Sequence, residues 1–255
     1  NFRDFLNEAK DKPFFMWCAF IDPHRPYEDK LNAAPAVHKP ENVTIPPYLI
    51  DNKHTREDLA RYYDEIHRMD KHIGIILDEL KKRHIDKNTL VVFFSDNGFP
   101  FPRAKATLYD AGIHTPLIFK WDDQIKSGSV YQKLISMIDL GPTILEVADT
   151  KTPLDMYGQS ISDIFKNQDL PGRQYIFAER NWHDSDAHMR CIRTKKYKLI
   201  VNSYTHLPFP ITGDYYNSEA WEELLQALDN NSLNKAQQRI FEFPRPALEF
   251  YDLEK

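Results

Sequence analysis

The chain has only two cysteines in 255 residues, and neither has a partner at redox or zinc-binding spacing. A disulfide framework is therefore excluded as the scaffold. Cys18 lies in an apolar run and is expected in the core, and Cys191 is expected at a half-buried strand position. No stretch approaches the roughly 20 apolar residues of a membrane span. Positive charge is not in surplus: 33 Lys and Arg against 38 Asp and Glu leave a net charge of −5. That balance argues against nucleic acid or another polyanion as partner, so an anionic substrate would have to meet a local cationic pocket. A leader pattern is also missing, since Asn1-Phe-Arg-Asp-Phe-Leu6 reads as amphipathic helix, and the chain is expected to begin in mid-fold. What is present is globular: 42% hydrophobic and 13% aromatic residues, enough for one large α/β domain or a medium domain and a small one.

The most informative stretch is Thr89-Leu-Val-Val-Phe-Phe-Ser-Asp-Asn-Gly98. Its β-branched and aromatic run suits a buried central strand, and Gly98 permits a tight turn at its end. Asp96 and Asn97 would project there as the hard oxygen donors that Ca²⁺ or Mg²⁺ prefers, although Asp-Asn-Gly is also an ordinary turn sequence. Two donors do not complete a calcium shell. Upstream, residues 13 to 20 read as a second buried strand ending in Asp22-Pro-His-Arg-Pro26. In open α/β sheets ligands gather beyond the carboxyl ends of strands, which places His24 and Arg25 in the same kind of location.

Residues 1 to 10 read as a helix, with Phe2, Phe5 and Leu6 on one face. A long ordered loop is expected to about residue 52, and then a strong helix from Thr55 to Arg83 opening on Thr55 and Asp58. After the Asp-Asn-Gly turn, Phe99-Pro-Phe-Pro102 forms a rigid loop carrying Arg103 and Lys105, and residues 116 to 121 return as a strand. Residues 136 to 148 form a helix entered through Asp139, with Pro142 in its first turn. The chain changes character near residue 167. Beyond it come strand candidates at 174–178, 189–193 and 197–201, separated by polar turns and expected to form a small antiparallel sheet.

Phe20-Ile-Asp-Pro-His-Arg-Pro26, the Asp96-Asn97 strand end and Lys105-Ala-Thr-Leu-Tyr-Asp-Ala-Gly-Ile-His-Thr-Pro-Leu117 together resemble the sulfatase family. The resemblance implies an α/β, alkaline-phosphatase-like sulfatase fold, incomplete because its N-terminal part is missing, with a small C-terminal antiparallel-sheet α+β subdomain. The expected division is residues 1–167 for the catalytic part and 168–255 for the subdomain, in which the resemblance implies a helix at 218–228 packed on the sheet and a last strand from Leu248. It further implies one calcium site held in part by Asp96 and Asn97, with His24 and Lys105 as catalytic residues at the sulfate and leaving group. Arg25, Arg190, and His183 and Asp184 of the expected sugar-binding loop Arg180-Asn-Trp-His-Asp184 are candidates for substrate binding, because Trp, His and Arg can stack on a sugar ring and pair with acidic groups.

Phe99-Pro-Phe-Pro102, Asp22-Pro-His-Arg25 and Pro208-Phe-Pro-Ile-Thr-Gly-Asp-Tyr-Tyr216 resemble the N-sulfoglucosamine sulfohydrolase (sulfamidase) subfamily, although Lys105 stands where the animal sulfamidases carry Arg. A Cys or Ser followed by x-Pro-x-Arg, which matures to formylglycine, is absent from the sequence and expected in a missing N-terminal half, so the chain alone is expected to be inactive. The implied partner is a sulfated glycan or monosaccharide in an extracytoplasmic compartment (periplasm, secreted or lysosome). A phosphodiesterase or phosphatase of the same superfamily, or a non-catalytic glycan-binding remnant, are the alternatives.

Overall fold

Asn52 starts the longest element of the chain. Its side chain accepts from the Thr55 N–H at 3.0 Å and caps α2, Lys53–Lys82. The helix thus begins before the expected Thr55, which is itself buried in the first turn. In this computed structural model residues 1–27 and 35–255 are described, so part of the expected proline-rich loop, residues 28–34, lies outside the described residues. The buried side of α2 is not only the expected apolar stripe: Asp58, Asp64 and Glu65 are buried beside Leu59, Ala60 and Met69. Each buried carboxylate has a donor, as buried charge requires. Arg25 reaches Asp58, His38 reaches Asp64, and Arg68 reaches Glu65.

The chain forms two compact units. The first comprises residues 1–86, 100–102 and 211–240; the second comprises 87–99, 103–210 and 241–255. The expected boundary at 167 falls inside the second unit, where a bidentate pair joins Arg173 to the buried Asp139.

In the first unit, α1 (Phe2–Ala9) lies at the C-terminal end of α2, with Arg3 and Arg83 both on Glu79 and Arg83 on Asn7. Residues 13–20 form no strand. Phe15 and Trp17 are 65% and 66% exposed and Cys18 is exposed, which corrects the expected buried strand and core cysteine. An apolar run becomes a strand only where a neighbour completes its ladder, and among the described residues none does.

In the second unit, β1 (Val91–Phe94) pairs antiparallel with β2 (Leu117–Lys120), Phe94 opposite Leu117. All four β1 residues are only half-buried, where a fully buried central strand was expected. Between the strands lies the short helix α3 (Asp110–Ile113), and after them α4 (Leu140–Val147) follows Asp139 as expected.

Four strands, β3 (Tyr175–His183), β4 (Ser185–Thr194), β5 (Tyr197–Asn202) and, at the chain's end, β6 (Leu248–Asp252), form one antiparallel sheet in sequence order. One face buries Arg180, Met189, Cys191, Lys198, Ile200 and Asn202, so Cys191 is more deeply buried than its expected half-buried position. The other face leaves Phe177, Leu248 and Phe250 about two-thirds exposed. Between β5 and β6 in sequence, and in the first unit, run the short helices α5 (Gly213–Tyr216) and α7 (Lys235–Gln238) on either side of α6 (Glu219–Asp229). The helix expected on the sheet is α6, and it packs on α2 instead. Its apolar stripe of Ala220, Trp221, Leu224 and Ala227 is buried, and the Ala220 N–H points at Asp58.

Candidate active site

The site is built on the end of β1. The Ser95 hydroxyl donates to the Asn97 carbonyl at 2.8 Å and closes the turn. The Asn97 amide nitrogen donates to the Gly98 carbonyl at 2.7 Å, which fixes the orientation of the amide. Asp96 is exposed, and among the described residues its carboxylate has no hydrogen-bond or ion-pair partner. An unpartnered carboxylate beside an oriented amide oxygen fits a hard cation such as Ca²⁺ but supplies only part of its six to eight ligands. Among the described residues no cluster of three His, Cys, Asp or Glu could complete the set.

Two glycines bring the neighbouring segments against this turn. The Gly98 N–H donates to the Gly112 carbonyl at 2.9 Å, and a Cβ on Gly98 would lie 1.8 Å from the Ala111 carbonyl oxygen. A Cβ on Gly112 would meet the carbonyl oxygens of Ala104 at 2.4 Å and Thr107 at 2.5 Å. The Asp-Asn-Gly turn, α3 and the loop of residues 103–107 are therefore in backbone contact. That loop carries Lys105, which is only 9% exposed and whose N–H donates to the Phe99 carbonyl at 3.1 Å. Asp96, Asn97 and Lys105 thus lie on adjoining segments of one unit.

Asp110 begins α3 and is the electrostatic centre of this region. Burial works to raise its pKa, but hydrogen bonds from Arg193 (3.2 and 3.1 Å) and Lys198 (2.6 Å) outweigh it and hold the carboxyl at about 2. Burial pushes the Lys198 ammonium below its ordinary range, and Asp110 offsets part of that cost. Burial also drives the Tyr109 phenol upward, and Glu249, which accepts its hydrogen bond at 2.8 Å, adds to the shift.

In the first unit, His24 and Arg25 lie between two prolines, and the bonds that precede those prolines, Asp22-Pro23 and Arg25-Pro26, are cis. The His24 ring is half-exposed, with Nδ1 2.6 Å from the Arg25 carbonyl and Nε2 2.8 Å from the Asp214 carboxylate. Arg25 does not offer itself to a ligand. Its Nη1 and Nη2 donate to buried Asp58 at 2.7 and 2.8 Å, its Nε donates to the Pro100 carbonyl at 3.0 Å, and the guanidinium lies over the rings of Tyr27 and Phe101. This geometry gives Arg25 a structural role, with Nε and both Nη atoms bonded within the first unit and the planar group against two aromatic rings.

The expected sugar-binding loop at 180–184 is mostly strand. Residues 180–183 continue β3 through a bulge, and Asp184 turns the hairpin with a φ of 57°. His183 and Asp184 sit side by side at 3.2 Å, but Arg190 is paired opposite Glu179, at 3.2 Å, about four residues along the strand. The structure therefore does not gather the three into one cluster. Pattern reading missed Arg193, Lys198 and Asp214, and it placed Arg180 in a sugar-binding loop where its side chain donates to the Ala106 and His183 carbonyls. Only the alternation of β4 and β5 could have shown the inward direction of Arg193 and Lys198.

A family model described as Sulfatase matches residues 1–150. The chain belongs to the sulfatase family. A second model of the family, "N-sulphoglucosamine sulphohydrolase, C-terminal", matches residues 103–239 of this sulfatase chain. It is 30% identical over 253 residues to the human N-sulphoglucosamine sulphohydrolase, covering 88% of this chain and 50% of that protein. It is also 30% identical over 216 residues to an ulvan-active sulfatase of Formosa agariphila, covering 84% of this chain and 36% of that protein. The chain thus spans half or less of the length of these curated relatives. Among solved structures, a protein from a Bacteroides thetaiotaomicron locus for metabolism of multiple glycosaminoglycans superposes with a TM-score of 0.64 at 21% identity, over 79% of this chain and 47% of that one. A protein solved with its substrate D-glucosamine-2-N,6-O-disulfate superposes with a TM-score of 0.55 at 23% identity, over 76% and 34%. The likeness establishes the alkaline-phosphatase-like sulfatase fold, of which this chain forms part. Among the described residues no helix is long and apolar enough to cross a membrane.

Proposed function

We propose that this chain is part of a sulfatase that hydrolyses sulfate esters or sulfamides of sulfated sugars, with N-sulfoglucosamine of heparan-type glycans as first substrate. The observation that carries the reading is the contact of the Asp96-Asn97 turn, α3 and the Lys105 loop through Gly98 and Gly112. The match of residues 103–239 to the sulphohydrolase model supports the substrate class.

In this reading Asp96 and Asn97 supply carboxylate and amide oxygens to one calcium ion, which when bound provides Lewis-acid stabilisation of the sulfate oxygens. The remaining ligands and the formylglycine nucleophile come from polypeptide outside the 255 residues. Lys105 holds its ammonium toward the same sulfate charge and does so without reorganising, because it is enclosed. The His24 Nε2 carries the proton for the leaving nitrogen or oxygen. Asp214, 2.8 Å away, holds that edge of the ring in place until substrate arrives. His183 and Asp184 reach the sugar from the tip of the β3–β4 hairpin. An extracytoplasmic compartment, where sulfated glycans are found, is the setting this substrate implies.

The test is to establish the natural gene product by intact mass and to assay it against N-sulfoglucosamine with and without a chelator. Turnover that stops on chelation, returns with Ca²⁺ and is lost in Asp96→Ala is the expected result. Calcium-independent turnover, or preference for a phosphodiester, would overturn the reading.

A further inference from the structure

We propose that the inward face of the four-stranded sheet is the positioning device for the Lys105 loop, with Arg180, Arg193 and Lys198 as its gripping residues. One cation comes from each of β3, β4 and β5. Arg180 Nη1 donates to the Ala106 carbonyl while its Nη2 donates to the His183 carbonyl at 2.8 Å. Lys198 Nζ donates to the Leu108 carbonyl at 2.7 Å and to Asp110 at 2.6 Å, and Arg193 closes on Asp110 from the neighbouring strand, where it pairs directly with Lys198. The grips fall on residues 106, 108 and 110, every second residue of the segment that follows Lys105.

Three features separate this arrangement from ordinary sheet packing. Arg180 and Lys198 are 7% and 2% exposed, and cations so placed stabilise a sheet no better than well-packed apolar side chains would. The Ala106 and Leu108 carbonyls and the Asp110 carboxylate that they grip all lie on a single segment, so what they fix is the path of that segment. Lys105 is also flanked by Arg103 and Ala106, both with a φ of 64°, a backbone state that residues with a Cβ rarely adopt unless their surroundings impose it. Gly112 also closes on Ala104 and Thr107, so the Lys105 loop is held by a glycine contact as well as by the cation row. A fixed cation stabilises developing charge only at the right distance, and small displacements of such groups are expensive in rate. The inference therefore deepens the sulfatase reading and rests on it for its catalytic consequence.

Hydrogen exchange of this chain read by mass spectrometry tests the grip without any turnover. Lys198→Met and Arg180→Gln are each expected to speed exchange in residues 103–110 about tenfold or more, with β3, β4 and β5 unchanged. Arg180→Lys, which keeps a donor for Ala106, is expected to restore part of the protection. Asp110→Asn keeps the volume of its site and serves as a second probe should Lys198→Met fail to fold. Unchanged exchange in 103–110, or a uniform rise across the second unit, would overturn the grip. In the natural-length protein, Lys198→Met is expected to lower kcat for the sulfated substrate about tenfold with KM nearly constant. A faster-exchanging loop with unchanged kcat would refute the catalytic consequence. A wild type without sulfatase turnover would instead refute the functional reading, and the exchange result would still decide the grip.

Discussion

Replacing Gly98 by alanine tests the backbone contact on which the site is built. The added Cβ would fall 1.8 Å from the Ala111 carbonyl oxygen and 2.8 Å from both the Ala111 carbonyl carbon and the Gly112 Cα. All three are backbone atoms, so no side-chain rotation relieves the overlap, and the turn must withdraw from α3 by more than 1 Å to reach an ordinary contact. That withdrawal breaks the 2.9 Å bond from the Gly98 N–H to the Gly112 carbonyl. The lost bond costs about 1 kcal/mol and the overpacking about 1–3 kcal/mol, giving about 2–4 kcal/mol in all. With a urea slope near ~3 kcal/mol/M for a chain of this size, the midpoint should fall by about 1 M. Urea unfolding of the wild type and Gly98→Ala, followed by intrinsic fluorescence, reads this directly. A midpoint shift below about 0.2 M would mean that the turn and α3 do not meet as described, and the placement of Asp96 and Asn97 next to the Lys105 loop would fall with it.

Arg25→Ala should destabilise the first unit by about 3–5 kcal/mol, since it strands the buried Asp58 carboxylate, and Arg25→Lys should recover only part because an ammonium cannot make the bidentate pair; thermal denaturation within a degree or two of wild type would contradict the structural role. The Asp110 carboxyl is held at about 2 against an ordinary 3.8, so its contribution to stability is present above pH 3.8 and lost as pH falls toward 2. The stability of Asp110→Asn should accordingly fall less steeply than that of the wild type across that window, and parallel curves would show that Arg193 and Lys198 do not grip the carboxylate. Cys18 should react with a thiol reagent in the native chain while Cys191, 3% exposed on the inward sheet face, reacts only on unfolding; equal rates would refute the burial of that face.

Local chemistry made much of this legible. Runs of β-branched and aromatic residues marked β1 and β5 and about half of β3 and β4, the apolar period marked α2, and Asp139 followed by Pro142 marked the entry to α4. The Asp96-Asn97-Gly98 strand end and the Lys105 loop were readable for the same reason. Each is a contiguous stretch whose residue types dictate a turn after a strand. The errors arose wherever the partner, not the segment, decides. Residues 13–20 have strand composition but no neighbour to complete a ladder, and α6 is as amphipathic as a sheet-covering helix yet meets α2.

Arg25 and Arg190 show the same limit at single residues. Their chemistry suits an anionic sugar equally well, but one is enclosed by Asp58, Tyr27 and Phe101 and the other is turned toward Glu179. The sequence by itself determined the elements, the strand-end oxygen donors and the cation that follows them, because these depend on neighbours along the chain. Only the tertiary structure decided which cations hold the loop, because residues 106 to 110 meet Arg180, Arg193 and Lys198 across some 70 to 90 positions of sequence, and no local pattern encodes a contact between segments that far apart.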